Sequence, residues 1–163
     1  MSGCYRFKLE PPGGTASPEA IPDAAEAKPP AEKPKAKMFA PENAINGFAR
    51  AIRGIPNSWR PERGKPMPQW IQLDFGRPVE FNCVHVSFQT RLMRADQFRL
   101  EAPDGDAWRP VAQISDDLNR RRVIYFDRVT ASKLRLVLTK ARDDVGVCEI
   151  RVYDEAKTPG ESR

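Results

Sequence analysis

Between Pro68 and Gly76 polar and apolar residues alternate: Trp70, Gln72 and Asp74 fall on one side of an extended backbone, Ile71, Leu73 and Phe75 on the other. A period of two over a short run of β-forming residues, closed by Gly76-Arg77-Pro78, predicts a strand with one face in a core. The pattern recurs. Residues 79–90 carry Phe81, Val84, Val86 and Phe88 as apolar positions, and residues 97–102 alternate Phe98, Leu100 and Ala102 with Gln97, Arg99 and Glu101. Residues 107–114, 121–126, 133–139 and 147–153 complete the set; in the last, Cys148, Ile150 and Val152 share a face opposite Glu149, Arg151 and Tyr153. Pro103-Asp104-Gly105-Asp106 has hairpin-turn composition. Helical periodicity is nowhere sustained, so the pattern predicts an all-β sandwich or barrel.

The flanks read differently. Residues 4–9 alternate well enough for a short strand, standing apart from the rest. Eight of the sixteen prolines precede residue 42. Residues 11–37, built from Pro, Ala, Glu and Lys, cannot bury enough apolar surface to offset ordering entropy and are expected to form a disordered linker. Residues 38–47 predict a brief opening strand and one helical turn ending at Gly47. Residues 48–68 form a long loop, and such loops are usually functional or pinned. The expected plan is a linker over 1–37, one β domain over 38–155 and a tail over 156–163, which suits a chain of 163 residues.

A net charge of +5 is dispersed among interleaved acids, so no continuous basic stripe for nucleic acid emerges. Arginine greatly outnumbers lysine in the predicted domain, and its planar fork suits carboxylate, phosphate or sulfate. The three cysteines have no metal-ligand spacing; Cys83 and Cys148 lie in apolar runs and read as buried free thiols, with no disulfide expected. No apolar run reaches the ~20 residues that span a bilayer. Met1-Ser2-Gly3-Cys4 lacks the hydrophobic segment of a lipoprotein signal. The sole histidine, His85, lies opposite Val84 and Val86 and reads as a partly exposed sheet residue. Asp74 is expected to pair with an arginine such as Arg135, since a charge leaving water needs a partner. Asp116-Asp117 and Asp143-Asp144 are adjacent carboxylates without the facing geometry of glycoside hydrolysis. No phosphate loop or nucleophile elbow appears, which favours binding over catalysis.

Asn43-Ala44-Ile45-Asn46-Gly47, Ser58-Trp59, Gln69 to Gly76, Lys133 to Leu138 and Glu149 to Tyr153, in that order, resemble the discoidin or coagulation-factor type C family. This group belongs to the galactose-binding-like superfamily and includes many bacterial carbohydrate-binding modules. The resemblance implies an eight-stranded jelly-roll β-sandwich that binds ligands through loops at one end. It also implies a structural calcium ion near the Ala-Ile-Asn-Gly turn, with Asn46, Asn57 and Glu149 as the matching positions. Asn46 stands where the family more often has Asp, which removes one negative charge and should weaken the site.

Trp70 and Trp108 lie within strand patterns and read as sheet-packing residues, whereas Trp59, in the long loop, remains both a structural residue by resemblance and a candidate stacking surface. With it, Arg60, Arg63, Arg91, Arg94, Asn119 and Arg120 form the candidate ligand-binding set, able to hold a carboxylate or sulfate if their loops converge. The resulting expectation is a non-catalytic, monomeric carbohydrate-binding module, with a preference for acidic glycans, appended to a larger bacterial protein. The family habit places such a parent outside the cell or in the periplasm, although no signal peptide is evident. The alternative is a module that docks on a neighbouring protein domain.

Overall fold

The computed structural model describes residues 4–6 (backbone only), 38–52, 54–115, 119–142 and 144–156; the predicted linker apart from 4–6, Arg53, Asp116, Asp117, Asp143 and most of the tail lie outside these. Six strands follow in order: β1 Cys4–Arg6, β2 Gln69–Phe88, β3 Gln97–Asp104, β4 Ala107–Ser115, β5 Arg121–Lys140 and β6 Val147–Tyr153. A short 3-10 helix, Pro41–Ala44, precedes β2. The chain is therefore nearly all β, as its alternation predicts.

The principal difference from expectation is that two predicted pairs of strands are each one strand. Residues 69–76 and 79–88 fall within β2, which ends two residues before the expected stop at 90, and residues 121–126 and 133–139 fall within β5. The two run antiparallel along almost their whole length, from Gln69 opposite Leu138 to Ser87 opposite Arg121. The register shifts between Asp74 and Val79 absorb Gly76-Arg77-Pro78, because a bulge accommodates a proline without a ladder donor and a glycine at φ 72°. Asp74 Oδ1 accepts the Gly76 N–H at 2.9 Å, which closes the bend locally.

Each half of β2 then acquires different neighbours. Its first half pairs with the second half of β5, which also pairs with β3, and β3 forms a hairpin with β4. β1 adds in parallel beside Gln72–Asp74, so the N-terminal strand does not stand alone. The second half of β2 lies between the start of β5 and β6. Where eight strands were expected, the described residues form six, all in one sheet that bends over a single core in the manner of a β-sandwich.

That core draws Ile71, Leu73 and Phe75 from the first half of β2 and Val84, Val86 and Phe88 from the second. Phe98 of β3 meets Phe88 edge-on at 5.6 Å between ring centres. Trp70 and Trp108 are half-buried and take the Arg135 guanidinium between them, at 4.0 and 3.7 Å from their ring centres. Arg135 Nε also donates to Gln72 Oε1 at 3.0 Å. Register sets Arg135 directly opposite Gln72, with Lys133 opposite Asp74.

Residues 38–40 form a turn, not a strand, with Phe39 at φ 63°; the helical turn follows as a 3-10 helix begun by Pro41, whose missing N–H costs nothing there. Cys83 and Cys148 are buried free thiols. Burial, then the Glu155 charge, pushes the Cys83 thiol up to about 11. Among the described residues no helix is long and apolar enough to cross a membrane.

Because Phe98 is fully buried against Phe88, Phe98→Ala is expected to cost about 3–5 kcal/mol in urea unfolding. A loss below about 1 kcal/mol would mean that the two halves of the sandwich do not meet here.

Candidate functional site

The loops at one end of the sandwich converge on Gln89, the residue after β2. Its backbone N–H donates to Gly146 O at 2.7 Å, and its side-chain oxygen accepts from Ser58 Oγ at 3.0 Å and Arg60 Nη2 at 3.1 Å. Its carbonyl accepts from Arg120 Nε at 3.1 Å, which also reaches Phe88 O at 2.9 Å. Gly146 is required by this closeness: a Cβ there would lie 2.6 Å from Gln89 Oε1 and 2.9 Å from Gln89 Cβ. One glutamine thus ties together the segments bearing Arg60, Arg120 and residues 144–146.

The predicted binding set is gathered at this end but largely employed in holding it. Trp59 is 3% exposed and bridges Val147 through mutual backbone hydrogen bonds of 2.7 and 2.8 Å, so its ring offers no stacking face. Arg60 lies over the Phe39 ring at 3.8 Å and 3.7 Å from Asp144. Its buried Nε has no hydrogen-bond partner among the described residues. Arg63 bonds Asp144 at 2.7 Å and holds that carboxyl below its usual range. Arg94 donates to Arg91 O and pairs with Asp96 at 3.5 Å, and Arg142 joins the same carboxylate at 3.2 Å. Arg91 and Asn119 are exposed, the latter beside Arg120. Arg60 and Arg120 thus brace the loops through Gln89, and Arg94 does so through Arg91 and Asp96. A groove of about 470 Å³ does run between Phe39, Arg60, Arg63, Lys65, Gln69 and Asp144.

The three positions matched to calcium have another employment. Asn46 Nδ2 donates to Asn57 Oδ1 at 2.7 Å, and Asn57 Nδ2 returns a bond to Asn46 Oδ1 at 3.1 Å. Asn46 Oδ1 also accepts the Phe48 N–H at 3.1 Å, while Asn57 Nδ2 donates to Phe48 O at 2.5 Å. Glu149 Oε1 accepts from Arg151 Nε at 2.7 Å. Calcium takes ~6–8 oxygens and favours several carboxylates. Two neutral amides bonded to each other and one carboxylate bonded by arginine offer that ion less negative charge than it favours. The two amides hold the backbone of Phe48 from both sides.

Phe48, 57% exposed, stands at a second groove of about 540 Å³ across the outer face of β5, β2 and β6. Register builds its floor: Arg121, Ser87 and Glu149 form one row, Val123, His85 and Arg151 the next. Arg120 Nη2 draws the loop over it by donating to Ala49 O at 2.5 Å. Arg50, Arg121, Arg122 and Arg151 line the groove against the single carboxylate of Glu149. Burial lowers the His85 pKa, so the imidazole is neutral at neutral pH. A neutral imidazole and planar guanidinium donors beside an aromatic face suit a ring-shaped polar ligand bearing negative charge. Parity alone turned His85 outward; only β-sheet register reveals which residues stand beside it.

The sequence model described as the F5/8 type C domain matches residues 30–151. No curated protein matches the chain. Among solved structures it is similar to the family 32 carbohydrate-binding module from Streptococcus pneumoniae EndoD, at 15% identity and TM-score 0.62, covering 75% of this chain and 90% of that one. It is also similar to the family 32 module from Clostridium perfringens NanJ in complex with galactose, at 14% identity and TM-score 0.62, covering 72% and 86%. A third similar structure is SpGH29, at 20% identity and TM-score 0.61; this match covers 73% of the present chain but 25% of that one. These likenesses show a shared fold.

Gly146→Ala is expected to destabilise the domain by about 1–3 kcal/mol in chemical unfolding, because the new methyl meets the Gln89 Cβ and not only its mobile tip. Calcium chloride added to the metal-free chain is expected to leave its melting temperature unchanged; a concentration-dependent rise would show that the two asparagines yield to the ion.

Proposed function

This chain belongs to the F5/8 type C domain family, and from that premise we propose that it is a non-catalytic carbohydrate-binding module, part of a larger exported protein, that takes acidic sugars in the groove beside Phe48. The observation that carries this reading is the pairing of an exposed phenyl ring with four arginines against one carboxylate. A sugar ring laid on Phe48 would bring a uronate or sulfate within reach of Arg50 and Arg121, whose forked donors match those groups. The galactose bound by the NanJ module and the module status of the EndoD structure support the carbohydrate class.

Binding, not bond cleavage, is favoured by the state of the acids at this end. Asp96, Asp144 and Glu149 each bond an arginine, and Arg63 holds the Asp144 carboxyl below its usual range, which makes that group a poor proton donor. The reading in which the module docks on a neighbouring protein domain draws on one observation, the exposed Ile52, Ile55 and Leu92 on the loops.

A glycan panel of neutral, uronate-bearing and sulfated oligosaccharides, read at low and high salt, separates these readings. Acidic members are expected to bind, with affinity falling as salt screens the arginines. Arg121→Ala and Phe48→Ala should each weaken binding about tenfold. Salt-independent binding of neutral sugars alone would remove the acidic preference, and silence across the panel would favour docking.

A further inference from the structure

On the same outer face as the groove, but at its β6 end, three side chains of different chemistry meet. The Cys83 sulfur, a ring nitrogen of His85 and a carboxylate oxygen of Glu155 all lie within 4.8 Å of one another. Cys83 and His85 are two residues apart on β2 and therefore share a side. Glu155 follows β6, and its position is built. Its backbone N–H donates to Asn82 Oδ1 at 2.8 Å, and its carbonyl accepts from Asn82 Nδ2 at 2.8 Å. From β5, Tyr125 donates its hydroxyl to Glu155 Oε2 at 2.9 Å, orienting the carboxylate. From β6, Tyr153 packs its ring 4.7 Å from that of His85.

We propose that Cys83, His85 and Glu155 form a binding site for a borderline divalent metal ion of the zinc class. One sulfur, one imidazole nitrogen and one carboxylate oxygen are the donors such an ion selects, at about 2.3, 2.0 and 2.0–2.2 Å, and a hard ion such as calcium would not choose the sulfur. Donors around a tetrahedral ion at those lengths stand roughly 3–4 Å apart, so small side-chain adjustments suffice. A thiolate and a carboxylate together offset the charge of the ion. The thiol proton leaves to solvent on binding, since the ligand is the thiolate. Tyr125 holds the carboxylate as an outer partner, the role in which loss of one hydrogen bond weakens metal affinity. Three protein donors leave the fourth position to water or an added ligand.

The test is titration of the full metal-free chain with Co²⁺, followed by Zn²⁺. The native chain is expected to develop, at one ion per chain, the charge-transfer absorption of a thiolate–cobalt bond with the visible bands of tetrahedral cobalt, both erased by zinc. Cys83→Ser should abolish the charge-transfer band, His85→Ala and Glu155→Gln should weaken binding at least tenfold, and Tyr125→Phe should weaken it about 10–100-fold. Cys4→Ser should change nothing. Zinc should raise the melting temperature of the native chain more than that of His85→Ala, whose half-exposed site keeps this comparison usable if Cys83→Ser does not fold. Absence of the band from the native chain, its survival in Cys83→Ser, or its loss in Cys4→Ser overturns the site and leaves a hydrogen-bonded cluster.

Discussion

The structure depends on keeping β2 and β5 paired while the chain changes direction. Backbone amides that leave water must find partners, so a ribbon running from Gln69 opposite Leu138 to Ser87 opposite Arg121 cannot simply stop at Gly76-Arg77-Pro78. The bulge there resolves the conflict. It lets one half of β2 pair in the β1-β2-β5-β3-β4 order and the other half accept β6. The candidate groove beside Phe48 is positioned by that second half, because its inner side chains, Val84, Val86 and Phe88, anchor the core while Cys83, His85 and Ser87 share its other face.

At the loop end the same accounting is carried out by side chains. Irregular segments cannot satisfy their carbonyls by a ladder, and here long polar residues do so. Arg120 serves Phe88, Gln89 and Ala49; Gln89 serves Ser58 and Arg60; Asn46 and Asn57 clamp Phe48. Such bonds contribute about 1 kcal/mol each, more where a charge takes part, and the larger cost lies in leaving one partner buried alone. This is why a set of arginines that looks like a ligand cleft in sequence is mostly internal bracing. The surplus of positive charge lies instead where sheet register, not loop composition, brings Arg121 and Arg151 beside the Arg50 loop.

Much of the fold was legible because alternation is a local property. The β3–β4 hairpin around Gly105, the closing strand Val147–Tyr153 and the outward face of His85 all follow from period two and turn chemistry. The merging of strands was not, since Gly76-Arg77-Pro78 carries the same composition whether it ends a strand or forms a bulge within one. The candidate site was still less so. Trp59 sits in a loop, yet it is bridged to Val147 across 88 positions and is buried in the core. Asn46 and Asn57 match a calcium pattern by position, yet their mutual distance decides what amides can do there. Parity gives a side of a sheet; it does not give the neighbour.

That distinction also explains why the two sites described on the outer face could not be joined from motifs. Metal-ligand spacing in sequence presupposes that ligands come from one loop or helix, whereas here two come from β2 and the third returns from beyond β6 by way of Asn82. Because β2 is the middle strand of three on this face, any ligand standing on it is fixed by ladders on both sides. A central strand therefore supplies pre-organisation that a loop must obtain from added hydrogen bonds, and His85 stands where both devices meet: it lies on the floor of the groove walled by Phe48 and beside the thiol of Cys83.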